Sequence, residues 1–230
     1  GPAGISLATS LNNNKKILVL EAGGMEVTEE SQDVYVGETV GDWYFSHDVS
    51  RLRYFGGTSN HWAGWVRPLE EIDLKQKLNL NIPGWPISKN DLDEFSETAS
   101  KILDLKKTKF TDLKLDNNLE LISYNYSKPT RFGEKYKYYF EENKNINLYL
   151  NSYVVNFVND GARVNGIEFV NNFNKSFRIN SKIIILATGG IENSRFLLNI
   201  QDKYESRFIT NDEFLGKNWS DHPMYHVGEA

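Results

Sequence analysis

Apolar positions open the chain as a helix over residues 4–11, stopped by the polar run Asn12-Asn13-Asn14. The uninterrupted apolar run of residues 16–20 then ends at Glu21, which suits a parallel strand buried on both faces. Ala22-Gly23-Gly24 is the turn after it. Residues 25–48 lack clear periodicity and predict irregular chain, and residues 68–73 predict a turn into a short helix. Pro83-Gly84-Trp85-Pro86 predicts a rigid linker, because each proline restricts itself and the residue before it. Ser88 is a good N-cap, with Asp91 at the third helical position. Leu92, Phe95, Ala99, Ile102 and Leu103 follow at helical spacing as one amphipathic helix. Residues 106–118 are charged and Asn-rich, a surface excursion.

From residue 145 the period shortens. Residues 147–151, 154–158, 163–170 and 175–179 read as successive strands. Asn159-Asp160-Gly161-Ala162 and Asn171-Asn172-Phe173-Asn174 are turns between them. A second buried strand is predicted at residues 182–186, running into Ala187-Thr188-Gly189-Gly190 and a helix to about Asn199. No internal repeat interrupts this α/β order.

With 230 residues the chain is long enough for one large or two small domains with a real core. A net charge of −5 and the lack of any Lys/Arg block argue against nucleic acid as a partner. No apolar run approaches membrane-spanning length, so no transmembrane segment is expected. Zero cysteines exclude a disulfide, a thiolate nucleophile and Cys-ligated metal. His47 and His226 have no partner at ligand spacing, so no metal site is expected. Asp33, Glu38, Asp42 and Asp48 read as solvated charges. Ser194 is not in a G-x-S-x-G setting, which removes a hydrolase nucleophile.

Candidate chemistry concentrates in residues 53–65, Arg-Tyr-Phe-Gly-Gly-Thr-Ser-Asn-His-Trp-Ala-Gly-Trp. Gly56 and Gly57 let backbone approach a flat ligand, Thr58, Ser59 and Asn60 offer hydrogen bonds, and His61 offers a ring nitrogen. Trp62 and Trp65 offer aromatic surface, with at least one read as a core anchor. Gly1-Pro2-Ala3-Gly4 fits the second half of G-x-G-x-x-G, and Glu21 lies at about the 20-residue spacing of a ribose-binding acid. Alone, each is weak: many helix starts contain G-P-A-G, and a lone Glu21 is a solvated strand end. Their combination with Ala187-Thr188-Gly189-Gly190 after a later strand makes a nucleotide site.

Three segments together resemble the glucose-methanol-choline (GMC) family of FAD-dependent oxidoreductases. They are residues 1–4 through Glu21-Ala22-Gly23, the Gly56-Gly57-Thr58-Ser59-Asn60-His61-Trp62 loop with Arg67-Pro68 behind it, and a C-terminal set. That set is residues 187–195, Leu215-Gly216-Lys217-Asn218 and Asp221-His222-Pro223. The resemblance implies a Rossmann-like FAD-binding domain, parallel sheet plus β-meander, with interleaved substrate-domain segments. It implies that Gly1 and Gly4 open a helix whose N–H groups bind the FAD pyrophosphate, and that Glu21 accepts from the adenosine ribose. Val154 would meet the adenine, Gly189 would let the chain pass close to the cofactor, and the loop from Gly56 to Gly64 would face the isoalloxazine. His61 stands where histidylated members carry the residue bonded to the flavin. Other members lack a histidine there, so the match permits a covalent link and does not require it.

The implied activity is oxidation of an alcohol, in particular a sugar or polyol, by hydride transfer to flavin N5, with oxygen, a quinone or a haem as acceptor. In the family the general base lies in a C-terminal portion that has no counterpart here, so no catalytic residue is assigned, and His222 is read as structural. The implied division is a first FAD-binding segment at 1–73, a substrate or cap segment at 74–144, a second FAD-binding segment at 145–220, and the start of a substrate domain at 221–230. The absent first strand predicts an internal fragment that holds FAD weakly. Two other readings stay open: another Rossmann-type flavin or NAD dehydrogenase, and a truncated FAD-binding module without turnover.

Overall fold

The computed structural model describes residues 1–11, 15–41, 44–106, 112–161, 163–204 and 214–222. In chain order the elements are α1 (Pro2–Ser10), β1 (Ile17–Leu20), α2 (Glu29–Asp33), α3 (His47–Ser50), β2 (Trp65–Val66), α4 (Glu71–Leu74), α5 (Lys89–Asp93) and α6 (Ser96–Ile102). They continue with β3 (Leu113–Lys114), β4 (Glu120–Leu121), β5 (Asn125–Tyr126), α7 (Phe132–Glu142), β6 (Ile146–Tyr149), β7 (Ser152–Asn159), β8 (Val164–Asn171), β9 (Ser176–Asn180) and α8 (Gly190–Lys203). The predicted stop at Asn12-Asn13-Asn14, the residues Asp42, Ala162 and His226, some of the predicted excursion (107–111) and most of the predicted tail (223–230) lie outside the described residues. Two compact units divide the chain. The first is Gly1–Val154 with Phe169–Ser176, and the second is Val155–Glu168 with Phe177–Ala230.

The core of the first unit forms around one parallel strand pair. β1 lies beside β6 in the register Ile17 to Ile146 through Leu20 to Tyr149. Backbone bonds extend the ladder at both ends, Ile17 N to Asn145 O at 2.8 Å and Glu21 N to Tyr149 O at 2.9 Å. Helix α1 begins with Pro2, which has no N–H to leave unsatisfied in a first turn. It buries Ile5 and Ala8, three residues apart and so on one face. α7 buries Phe132 and Phe140 into the same cluster, with Ile146 from β6 and Phe55 from the glycine-rich loop. Phe55 meets Phe140 edge to face, ring centres 5.2 Å apart. The loop is thus pinned to the core by its own aromatic residue.

Where residues 25–48 predict irregular chain, the helix α2 forms at Glu29–Asp33. Thr28 caps α2 by accepting from Ser31 N at 3.2 Å, with Glu29 and Glu30 in the favourable first turn. The Gln32 side chain then donates to the carbonyls of Asp48 and Arg51 and accepts from Arg53 N at 3.1 Å. α2 therefore holds the strand of chain that enters the loop. Ser88 and Asp91 form the expected capping box, but the amphipathic helix divides into α5 and α6. Phe95 and Ala99 are exposed and Ser100 is buried instead, because only the far end, Ile102 and Leu103, reaches the core. The predicted linker folds back: Trp85 N donates to Leu74 O at 2.8 Å, and Lys77 bridges to Ile82.

Strands β7, β8 and β9 are hydrogen-bonded in chain order, as the alternating pattern predicts. Connections of a few residues can join only antiparallel neighbours. α8 buries Phe196 and Ile200, and Phe196 meets Phe157 of β7 at 5.1 Å. The predicted buried strand at residues 182–186 does not form. Ile183 is 76% and Ile185 53% exposed, and no described strand pairs with this run. A continuous apolar run qualifies as a parallel strand only when a neighbour supplies the ladder. Mixed helix and strand with small parallel and antiparallel sheets is the architecture; the parallel sheet of the described residues has two strands, β1 and β6.

Candidate functional site

Three sequence-distant segments of the first unit meet at the C-terminal end of β1. Glu21 leaves the strand with Oε1 accepting from Gly23 N at 2.9 Å. Its backbone also binds the start of β7, Ser152 N donating to Glu21 O at 2.9 Å. A carboxylate has acceptor capacity beyond that one Gly23 bond. Gly1 is the N-cap residue of α1. The loop closes the third side: a Cβ added to Gly57 would stand 3.0 Å from the Gly1 Cα.

The glycines of this region divide by what they face. Gly23 sits where a Cβ would be 1.9 Å from Arg53 O, so β1 and the loop entrance touch backbone to backbone. A Cβ on Gly56 would meet Gly133 N at 2.5 Å, and one on Gly64 would meet Ser127 O at 2.3 Å. Both have positive φ, 97° and 91°, a region that favours glycine. Protein packing therefore accounts for Gly56 and Gly64 without a ligand. Gly1 faces open space instead. Gly4 lies within α1.

The polar residues of the loop are occupied to different degrees. Thr58 is exposed, and its hydroxyl accepts from Leu52 N at 3.3 Å. Asn60 donates to Phe55 O at 2.9 Å and accepts from Gly133 N at 3.3 Å, so its amide is engaged within the protein. Trp62 is half-buried, its indole N–H donating to Thr130 O at 3.0 Å, which makes it the expected anchor. Trp65 is exposed and meets Tyr126 edge to face. His61 is exposed at the end of the 3-10 turn Gly57–Asn60.

Val154 is two residues beyond Ser152, which contacts Glu21. Gly189 belongs to the second unit, where it precedes α8 with φ 89° and open space beside it. Asn193 accepts from Thr188 there, N–H at 3.1 Å and hydroxyl at 2.6 Å. His222 is exposed beside Asp221, its Nδ1 3.2 Å from the carboxylate. Sequence reasoning missed Gly23, Arg131 and Gly133 as residues that shape the site. Gly23 stands in a motif segment but without a role of its own, and the start of α7 carries no motif. A concavity of about 540 Å³ opens elsewhere, between Asp93, Ser96, Glu97, Ser100, Lys101 and Leu105. Among the described residues no helix is long and apolar enough to cross a membrane, and no acidic or histidine cluster could hold a metal.

No protein-family model matches the chain, and no curated protein matches it. Among solved structures it is similar to pyridoxine 4-oxidase from Mesorbium loti, at 16% identity and a TM-score of 0.49 over 90% of this chain and 52% of that one. It is also similar to a formate oxidase, at 14% identity and a TM-score of 0.48, covering 86% and 45%. A third is an Aspergillus oryzae formate oxidase solved for the effect of a mutation on FAD modification, at 13% identity and a TM-score of 0.47, again covering 86% and 45%. The chain spans about half the length of these structures.

Proposed function

We propose that this chain carries the flavin seat of an FAD-dependent oxidoreductase acting on CH–OH donors, an alcohol and in particular a sugar or polyol. The observation that carries the reading is the approach of two motif residues far apart in sequence, Gly57 of the loop and Gly1 at the start of α1, where a Cβ on Gly57 would stand 3.0 Å from the Gly1 Cα. The fit to a dinucleotide is chemical. A helix N-terminus presents free N–H groups to a pyrophosphate, and Gly1 beside open space leaves room for it. The Glu21 carboxylate keeps acceptor capacity for a ribose hydroxyl, and Val154 follows the strand start that binds Glu21.

In this reading Gly56 and Gly64 shape the loop, Gly57 brings it against α1, and Thr58, Asn60 and His61 form its cofactor side. His61 is the tether where the link is covalent, since its ring is exposed. Gly4 keeps the first turn of α1 slim. The bound flavin would supply hydride acceptance from the substrate carbon, and pass electrons to oxygen, a quinone or a haem. The protein's share is to orient that cofactor and exclude water from it. A Rossmann-like FAD domain with substrate segments interleaved at 74–144 and from 221 belongs to the same proposal.

Equilibrium titration with FAD and with NAD tests the reading. Saturable FAD binding that NAD does not displace is expected. Tight NAD binding with no flavin bound would overturn it. Acid precipitation of the loaded protein tests the tether: flavin staying with the pellet supports His61, and intact FAD in the supernatant removes the link.

A further inference from the structure

We infer that Arg131 is a positioning residue for His61, an inference that rests on the flavin-seat reading. Arg131 stands at the N-cap of α7 and directs one guanidinium nitrogen at the loop. That Nη1 donates to Trp62 O at 2.9 Å and reaches Ser59 O at 3.4 Å, carbonyls on either side of His61. The neighbouring residues of the same helix start complete the hold. Thr130 O accepts from the Trp62 indole at 3.0 Å, and Gly133 N donates to Asn60 at 3.3 Å. Residues 59, 60 and 62 are therefore all tied to residues 130–133, and each is at least half-buried. His61 alone in this stretch is exposed, its own amide donating to Thr58 O at 3.2 Å.

The consequence is geometric. A ring on a short exposed turn samples many directions unless the backbone beneath it is fixed. Charge-assisted donation from a guanidinium to a carbonyl is stronger than a neutral bond. No carboxylate among the described residues forms an ion pair with Arg131, so its donors serve these carbonyls. The role assigned to Arg131 is to set where the His61 ring points, without touching the cofactor itself.

The test combines amide exchange on the free protein with FAD titration of Arg131→Ala, Arg131→Lys, His61→Ala and the double variant. Exchange at the His61 amide should rise roughly tenfold in Arg131→Ala, while the amides of Ile17 and Glu21 in the β1–β6 ladder keep their protection. FAD affinity should fall roughly tenfold, recover in part in Arg131→Lys, and fall no further when His61→Ala is combined with Arg131→Ala. Unchanged exchange at His61, or additive losses in the double variant, would overturn the positioning role. Failure of the unaltered protein to bind FAD would instead sink the flavin reading and the cofactor half of this inference with it.

Discussion

Two glycine-containing segments look equivalent as motifs, residues 53–65 and residues 187–190, yet the structure treats them oppositely. In the first, Gly56 and Gly64 face protein backbone within 2.5 Å and 2.3 Å of where a Cβ would be, and Phe55 is buried in the core. In the second, Gly189 faces open space, and the apolar run leading to it forms no strand. The loop is held by contacts that also close it. The later segment has its conformation set locally, through Asn193 and the start of α8. A motif locates candidates, and the partners across the fold decide which of them are fixed.

Substitutions can break that contrast. The largest effect is expected for Gly23→Ala, whose new methyl would overlap Arg53 O, a backbone atom that cannot swing aside. Loss of more than about 4 kcal/mol, or no cooperative unfolding at all, should appear in denaturant titration. Phe55→Ala should cost roughly 3–5 kcal/mol by removing the ring that packs on Phe140. Gly189→Ala has room for its methyl, but φ 89° strains any side-chain residue, so about 1–3 kcal/mol is expected. If Gly189→Ala proves as damaging as Gly23→Ala, the contrast between the two segments fails.

A smaller, local effect sharpens the picture of the loop's far side. The Asp112 carboxyl is held at about 2, first by Arg67 and then by the Ser123 N–H. Arg67 donates to both carboxylate oxygens, at 3.0 and 2.8 Å. The folded pKa lies below the ordinary 3.8, so this pairing contributes stability above that value and loses it as pH falls toward about 2. Amides of the β3–β4 ribbon should lose exchange protection over that window, and Asp112→Asn should remove the pH dependence. An unchanged profile in Asp112→Asn would place its cause elsewhere.

Much of the framework was legible in the sequence because it is local. The four strands from residue 146 to 180 sit within about two residues of their predicted bounds, since period-two alternation and Asn/Gly turns need no distant partner. The capping box at Ser88 was readable for the same reason. α7 was overlooked although Phe132, Tyr136 and Phe140 recur at helical spacing, because Lys, Glu and Tyr between them mask the stripe. The strand expected at 182–186 shows the opposite error: its composition is right, but a parallel strand exists only through its neighbour.

The site divides the same way. Gly1 and Glu21 stand at motif spacing, the loop stands out by its residue types, and Gly57 of the loop comes against Gly1. What spacing could not reveal is why particular glycines stand there. Gly64 answers to Ser127, and Trp62 to Thr130, 68 residues away. Such pairs leave no local signature.

The most direct test of the flavin seat is FAD affinity of the protein against that of Glu21→Gln. Glu21 lies where α1, β1 and the loop converge, and loss of its charge removes a charge-assisted acceptor while nearly preserving shape. A flavin seat built on Glu21 predicts saturable binding weakened roughly tenfold by Glu21→Gln, with the unfolding midpoint without ligand nearly unchanged. Equal affinity in the two proteins would contradict it, as would an absence of binding in both.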